Sequence, residues 1–191
     1  MLSDDNLEFV YTGARMTTQN VATALLRVES VLQRRPGAGL HDDAPATVRW
    51  ERGLRVVAGH LNGTQIPTDM PRELGGTGDR VTPGWLMRAG LAACTATSIA
   101  LRAAARGIEL QRLEIVASSR SDTRGLLGMI NERGEQVPAG PRDLELTVRI
   151  AAQGATAEQL RSLVEDGYRN SPIACALEAA MPVGLRIDIS T

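Results

Sequence analysis

The sequence predicts an α+β domain, and three observations carry that prediction. After one leading helix the elements fall in the order βββ-α-ββ-α-α-β, which is not the strict alternation of a parallel α/β fold. The strand segments alternate apolar and polar residues and are separated by turn-forming pairs such as Asn62-Gly63. One long apolar helix, Thr82 to Gly107, sits in the middle of the chain, and the rest is read as organised around it.

Composition narrows the function classes. At 191 residues the chain can bury a substantial core, and with two Trp, two Tyr and a single Phe that core must be aliphatic. The net charge of −1 gives no call for a nucleic-acid or anionic-membrane partner. Every basic residue is arginine, so an arginine near a site is weaker evidence here than in a mixed composition. Two cysteines make no disulfide framework and point to a reducing compartment. The opening MLSDDNLEFVY lacks a basic region followed by an apolar one, and no apolar run is long enough to span a bilayer. A soluble, cytoplasmic protein is expected.

Residues 1 to about 16 show no period. Thr17 or Thr18 caps a helix running to Arg35, whose Val21, Leu25, Val28 and Leu32 keep helical spacing while Arg27, Glu29 and Arg34 lie off that stripe. It ends before Pro36, and Pro36-Gly37-Ala38-Gly39 reads as a linker. Residues 1–45 therefore form an N-terminal extension with one amphipathic helix, and 46–191 form the main domain. His41-Asp42-Asp43 offers one imidazole and two adjacent carboxylates with no further ligand group, and is read as a solvated loop. Strands at Ala46–Trp50, Leu54–Leu61 and Thr64–Thr68 make a meander, turning at Arg52-Gly53 and Asn62-Gly63.

The loop DMPRELGGTGDRV brings three glycines up to the long helix, but it has neither the Walker spacing nor G-x-G-x-x-G, so phosphate binding is disfavoured. Thr82 is a good N-cap, Pro83 suits the first helical position, and Gly107 can close the far end. About 24 residues at 1.5 Å each give a helix of about 36 Å. Without a clear polar face it is expected to be buried on nearly every side, with Cys94 at its midpoint. Leu113, Ile115 and Ala117 then mark a strand, 120–142 a long hairpin connection, and Leu144, Leu146, Val148 and Ile150 the returning strand. Thr156 and Gln159 form a capping box for a helix with Leu160, Leu163, Val164 and Tyr168 on one face. Ser171-Pro172 starts a short helix, and Val183, Leu185, Ile187 and Ile189 are expected to form a last strand.

The phrases ELGGTGDRVTPGWLMRAGLAAC and SPIACALEAAMPV, together with the order of elements, resemble the OsmC/Ohr family of osmotically inducible and organic hydroperoxide resistance proteins. The resemblance covers about residues 46 to 190. It implies an OsmC-like fold, in which antiparallel sheets wrap long central helices in an intertwined homodimer. It also implies a thiol peroxidase for organic hydroperoxides, with Cys94 as nucleophile and an early-strand arginine, Arg52 or Arg55 and less so Arg49, stabilising the thiolate. Cys94 lies too deep in its helix for the dipole to serve instead.

Two positions depart from the family pattern. The carboxylate that orients the arginine should follow the Thr-Pro pair, where this chain has Gly84, and Glu73 in the glycine loop is one replacement to consider. The resolving cysteine should stand at Ser171, where serine at N-cap before Pro172 has a structural explanation of its own. Cys175, one turn further on, is read as a small buried apolar residue rather than a partner for Cys94. Trp85 and Met87 either line an apolar pocket beside the thiol or belong to the core, and His60 is read as structural or exposed. No cofactor and no metal site is expected. The function that follows is cysteine-dependent reduction of a small hydrophobic peroxide with incomplete equipment. The rival is a non-catalytic dimer that binds a small apolar ligand.

Overall fold

The computed structural model describes residues 17–189, so the aperiodic stretch before Thr17 lies outside the described residues. Helix α1 (Thr18–Arg34) is capped by the Thr17 hydroxyl, which accepts from the Asn20 N–H at 3.2 Å, and a 3₁₀ turn at Pro36–Gly39 follows it. Val21, Leu25 and Leu32 are half-buried, but Val28 is 54% exposed, so the stripe expected to dock is narrower than the sequence spacing implied.

Strands β1 (Thr47–Arg52), β2 (Arg55–Gly59) and β3 (Gln65–Thr68) form the expected antiparallel meander in the order β1-β2-β3. Arg52 and Arg55 pair across the first turn, beside a bulge between Trp50 and Arg52. Register places Val48, Trp50, Val56, Ala58, Ile66 and Thr68 on one face. That face is largely apolar and is uncovered toward β1, with Trp50 70% and Val48 58% exposed, while Thr68 at its other end is buried. Among the described residues, the meander makes no substantial packing contact with the other elements.

Helix α2 (Pro83–Ala105) begins as its sequence dictates, the Thr82 hydroxyl accepting from the Trp85 N–H at 3.2 Å with Pro83 at the first position. It ends in a Schellman pair, Ile108 N–H to Ala103 C=O and Gly107 N–H to Ala104 C=O, with Gly107 at φ 65°. Leu91, Thr95, Ser98, Ile99, Ala103 and Ala104 are buried, but Ala93, Thr97, Ala100 and Leu101 are exposed. Burial on nearly every side is therefore not what one chain provides. The neighbours α1, β4, α4 and α5 cover one side of α2 and leave the other open.

Beyond it, β4 (Leu110–Arg120) and β5 (Arg142–Ala152) form a two-stranded antiparallel ladder, with a single turn α3 (Thr123–Leu126) in the connection. Helix α4 (Ala157–Arg169) starts with the full Thr156/Gln159 capping box, and α5 (Pro172–Glu178) follows at once. The core is aliphatic: Ile99, Ala103 and Leu163 at the centre, with Ile115, Val148 and Ile150 from the sheet packed on them. Val183, Leu185, Ile187 and Ile189 do not form the expected strand. They are exposed, Leu185 to 86%, because no strand edge among the described residues pairs with them.

Gly167 of α4 is where α4 and α2 meet backbone to backbone. A Cβ there would lie 2.8 Å from the Ile99 Cα and 2.9 Å from its nitrogen. Gly167→Ala is expected to force the helices apart and cost about 3 kcal/mol, read as a lower unfolding midpoint in urea. An unchanged midpoint would show that the helix pair tolerates the added methyl.

Candidate thiol site

Cys94 sits halfway along α2 with a free, half-buried thiol. The next residue, Thr95, is fully buried, and its hydroxyl lies 3.2 Å from the Ser171 hydroxyl, itself fully buried. One turn on, the Ser98 hydroxyl donates to the Asn170 carbonyl at 3.3 Å. These two polar contacts pin the start of α5 onto α2. Ser171 is the N-cap residue by position, with Pro172 behind it, but its hydroxyl does not cap. The interior contact with Thr95 takes it instead, so the capping explanation of this serine is only half right. Ser171→Ala would leave the Thr95 hydroxyl buried without its partner, at an expected cost of about 1–2 kcal/mol in thermal unfolding. A melting temperature equal to wild type would contradict that pairing.

Cys175 is exposed, not buried as its reading from sequence had it, and its thiol donates to the Arg169 carbonyl at 3.3 Å. Seven residues of helix are too short to bury every face, and the α5 contacts with α2 and α4 are made by other side chains, Ala174 among them. Both thiols are free.

The glycine loop folds around Arg55. The Arg55 Nη2 donates to Asp69 Oδ2 at 3.2 Å, to the Thr77 hydroxyl at 2.8 Å, and to Asp79. Asp69, only 2% exposed, also accepts from the Met70 N–H at 2.7 Å, the Thr77 hydroxyl at 2.6 Å and the Thr77 N–H at 3.3 Å. Gly76 is obligatory in this fold of the loop, since a Cβ would lie 1.8 Å from the Met70 carbonyl oxygen. The Asp69 N–H donates to Val81 C=O at 3.1 Å, so the clamp runs directly into the Thr82 cap of α2.

Two carboxylates missed in the sequence thus hold the arginine, and the one considered, Glu73, is exposed with no bond to Arg55. The signal was there in the aspartates that bracket the loop, Asp69 and Asp79. Gly84 carries no carboxylate, yet Arg55 is held by two others. A Cβ at Gly84 would meet nothing closer than the Arg88 Nη1 and the Thr82 hydroxyl at 3.9 Å, so space does not explain the glycine. Arg52 and Arg49 are exposed on β1. Among the described residues, no hydrogen bond joins Arg52 or Arg55 to the Cys94 sulfur.

The Thr77 hydroxyl, ahead of the backbone N–H groups and Arg55, holds Asp69 down to about 2 against the opposing effect of burial. Asp79 is lowered in the same way, first by Thr77 and then by Arg55 and Arg80. A carboxylate depressed in the fold stabilises it above the unfolded value of about 3.9, and that contribution is lost as pH falls toward about 2. Asp69→Asn is therefore expected to melt lower than wild type at neutral pH and to converge with it on acidification through that window. A gap that stayed constant with pH would contradict the charged clamp.

A cavity of about 590 Å³ opens between α2, β5, α4 and α5, lined by Leu91, Thr95, Leu146, Val148, Ala174 and Leu177 among others. Cys94 does not line it, and neither do Trp85 and Met87. His60 is exposed in the β2–β3 turn, where its Nδ1 accepts from the Asn62 N–H at 3.1 Å. Among the described residues, no three His, Cys, Asp or Glu side chains gather as a metal would require, and no helix is long and apolar enough to cross a membrane.

Comparison with known proteins places this architecture. A family model described as OsmC-like protein matches residues 76–186. No curated protein sequence matches the chain. Among solved structures, an OsmC-like protein from Mycoplasma pneumoniae is 18% identical, with a TM-score of 0.60 over 73% of this chain and 89% of that one. An organic hydroperoxide resistance protein OsmC from Legionella pneumophila is 20% identical, with a TM-score of 0.52 over 72% and 91%. An organic hydroperoxide resistance protein from Elizabethkingia anophelis is 22% identical, with a TM-score of 0.52 over 72% and 89%. At these identities the likeness is one of fold, and it agrees with the mixed helices and antiparallel sheets described above. With more than half of its length matched by the family model, the chain belongs to the OsmC-like protein family.

Proposed function

We propose that this protein is a cysteine-dependent reductase of small organic hydroperoxides that acts as a homodimer in the cytoplasm. The observation that carries the reading is Cys94 itself: a free thiol, half-buried at the centre of α2, inside the part of the chain that matches the family model. Relatives of the same fold described as organic hydroperoxide resistance proteins support it. The thiolate of Cys94 attacks the terminal peroxide oxygen, the O–O bond breaks, and the alkoxide leaves, taking a proton from solvent to become the alcohol. The sulfur is oxidised to sulfenic acid. One external thiol then condenses with it and releases water, and a second thiol breaks the mixed disulfide and returns Cys94.

Arg55 is our assignment for the cation that stabilises the thiolate, because the clamp fixes it, and Arg52 is the exposed neighbour across the turn. The dimer follows from uncovered apolar surface. The Trp50 face of the meander, the open side of α2 and the Val183–Ile189 tail all expose apolar side chains, and a second copy is what would cover them. In this reading the second copy brings a meander to each α2, and the tail becomes a strand on assembly. Residues 46–191 form the OsmC-like domain, with α1 as an extension docked on α2.

The test is the oxidation product. One equivalent of cumene hydroperoxide is expected to add one oxygen to Cys94 in both wild type and Cys175→Ser, and to form no Cys94–Cys175 disulfide in wild type. Peptide mass spectrometry that found Cys94 unmodified would overturn the reading. The second reading, a binding protein for a small apolar ligand, is favoured by the 590 Å³ cavity, a volume suited to such ligands.

A further inference from the structure

The cavity between α2, β5, α4 and α5 is divided by polarity. Its floor is formed by Leu91, Thr95 and Ala174, all buried. The Thr95 hydroxyl, the polar group of that floor, is already engaged by Ser171 at 3.2 Å. From β5 the wall receives Leu144, Leu146 and Val148, which alternate onto one face of the strand. A guest that enters therefore meets aliphatic surface.

The mouth differs, and its charge has one sign. Glu165 of α4 and Glu178 of α5 both line the cavity and are both exposed. Tyr168 also lines it, three residues on from Glu165 and so on the same face of α4. Its hydroxyl donates to Glu178 Oε1 at 2.5 Å, which ties α5 to α4 and holds that carboxylate at the rim with acceptor capacity left over. A third lining carboxylate, Glu145, sits between Leu144 and Leu146, so strand alternation turns it away from the interior. The chain has 21 arginines and no lysine, yet none of the described arginines lines this cavity. Among the described residues, none forms an ion pair with Glu165 or Glu178 either. Arg169, one turn from Glu165, is paired with Asp166 instead.

We propose that this cavity binds a small amphipathic amine, its apolar body against the floor and β5 and its ammonium at the rim formed by Glu165, Tyr168 and Glu178. The inference rests on the ligand-binding reading of the cavity and adds to it the head group of the ligand. It does not involve Cys94, which does not line the cavity. A primary alkylamine is protonated at neutral pH, as lysine is, and its three N–H donors suit carboxylates that have no cation of their own. A carboxylate ligand of the same shape would bring like charge to the rim. A neutral ligand would gain the same apolar burial and leave the rim unpaired. At about 590 Å³ the cavity has room for either.

The experiment is isothermal titration calorimetry of the full-length protein with octylamine, 1-octanol and octanoate below their aggregation concentrations, one chain length with three head groups. Octylamine is expected to bind about tenfold more tightly than 1-octanol, the gain of two partly screened ion pairs, and octanoate more weakly than both. In the Glu165→Gln/Glu178→Gln double variant, octylamine should fall to the affinity of 1-octanol while 1-octanol itself is unchanged. Glutamine keeps an acceptor for the Tyr168 hydroxyl, and if the double variant does not fold, each single variant should lose part of the preference. Equal binding of octylamine and 1-octanol by wild type would overturn the amine and leave the apolar-ligand reading standing. A preference for octylamine that survived both glutamines would place the charge recognition elsewhere and overturn the proposal too. If neither probe binds, the ligand-binding reading of the cavity fails and the amine fails with it.

Discussion

Cys94→Ser is expected to abolish hydroperoxide consumption, a loss on the order of a thousandfold, with the fold intact. A serine hydroxyl is nearly isosteric with the thiol but is neither ionised at neutral pH nor able to take up the peroxide oxygen. The loss should fall on the chemical step, with thermal unfolding unchanged, because Cys94 makes no hydrogen bond among the described residues whose removal would unfold α2. Cys175→Ser should retain activity, since that thiol sits exposed on α5 against the Arg169 carbonyl. Activity that survived Cys94→Ser and vanished in Cys175→Ser would move the reaction to the other cysteine.

The second large effect concerns assembly. Light scattering at micromolar concentration is expected to return about 41 kDa, twice the 20.4 kDa of one chain. Val48 and Trp50 point to the same uncovered face of the meander. Burying the pair against a second copy is worth several kcal/mol, at about 1.5–3 kcal/mol for each large apolar side chain. Changing both to glutamate replaces that gain with two carboxylates to desolvate. The double variant is therefore expected to run as a monomer and, because Arg55 stands on the same meander, to lose most of the hydroperoxide activity as well. A wild-type protein that ran at 20 kDa would contradict the dimer. A double variant that stayed dimeric would place the interface elsewhere.

How far sequence reaches in this protein depends on the range of the interactions involved. Thr82-Pro83, Thr156 with Gln159, and Asn62-Gly63 act within a turn of chain, and each cap or hairpin formed where it was expected. The alternation that marks β5 also held, because β4 is there to pair with it. The same alternation at Val183–Ile189 met no partner, and a period of two says that a segment can pair without saying with what. The breadth of apolar surface on α2 was legible, but which side one chain would cover was not.

At the site, the resemblance singled out Cys94 and the arginine pair. The carboxylates that hold Arg55 escaped notice because Asp69 and Asp79 lie 14 and 24 residues away from it, and only the tight fold at Gly76 brings them to one guanidinium. Ser171 shows the opposite difficulty. Its sequence context offered a sufficient local role, and a contact 76 residues away with Thr95 claimed the hydroxyl instead.

The central claim is that Cys94 is a working nucleophile, and its most direct measurement is the second-order rate constant of wild-type protein with cumene hydroperoxide in stopped flow. The reaction runs through a thiolate, and free cysteine sets the rate that an unassisted thiol reaches. The account predicts a rate well above that of free cysteine at neutral pH, with one sulfenic acid formed at Cys94 per peroxide consumed. A rate equal to or below that of free cysteine would contradict it.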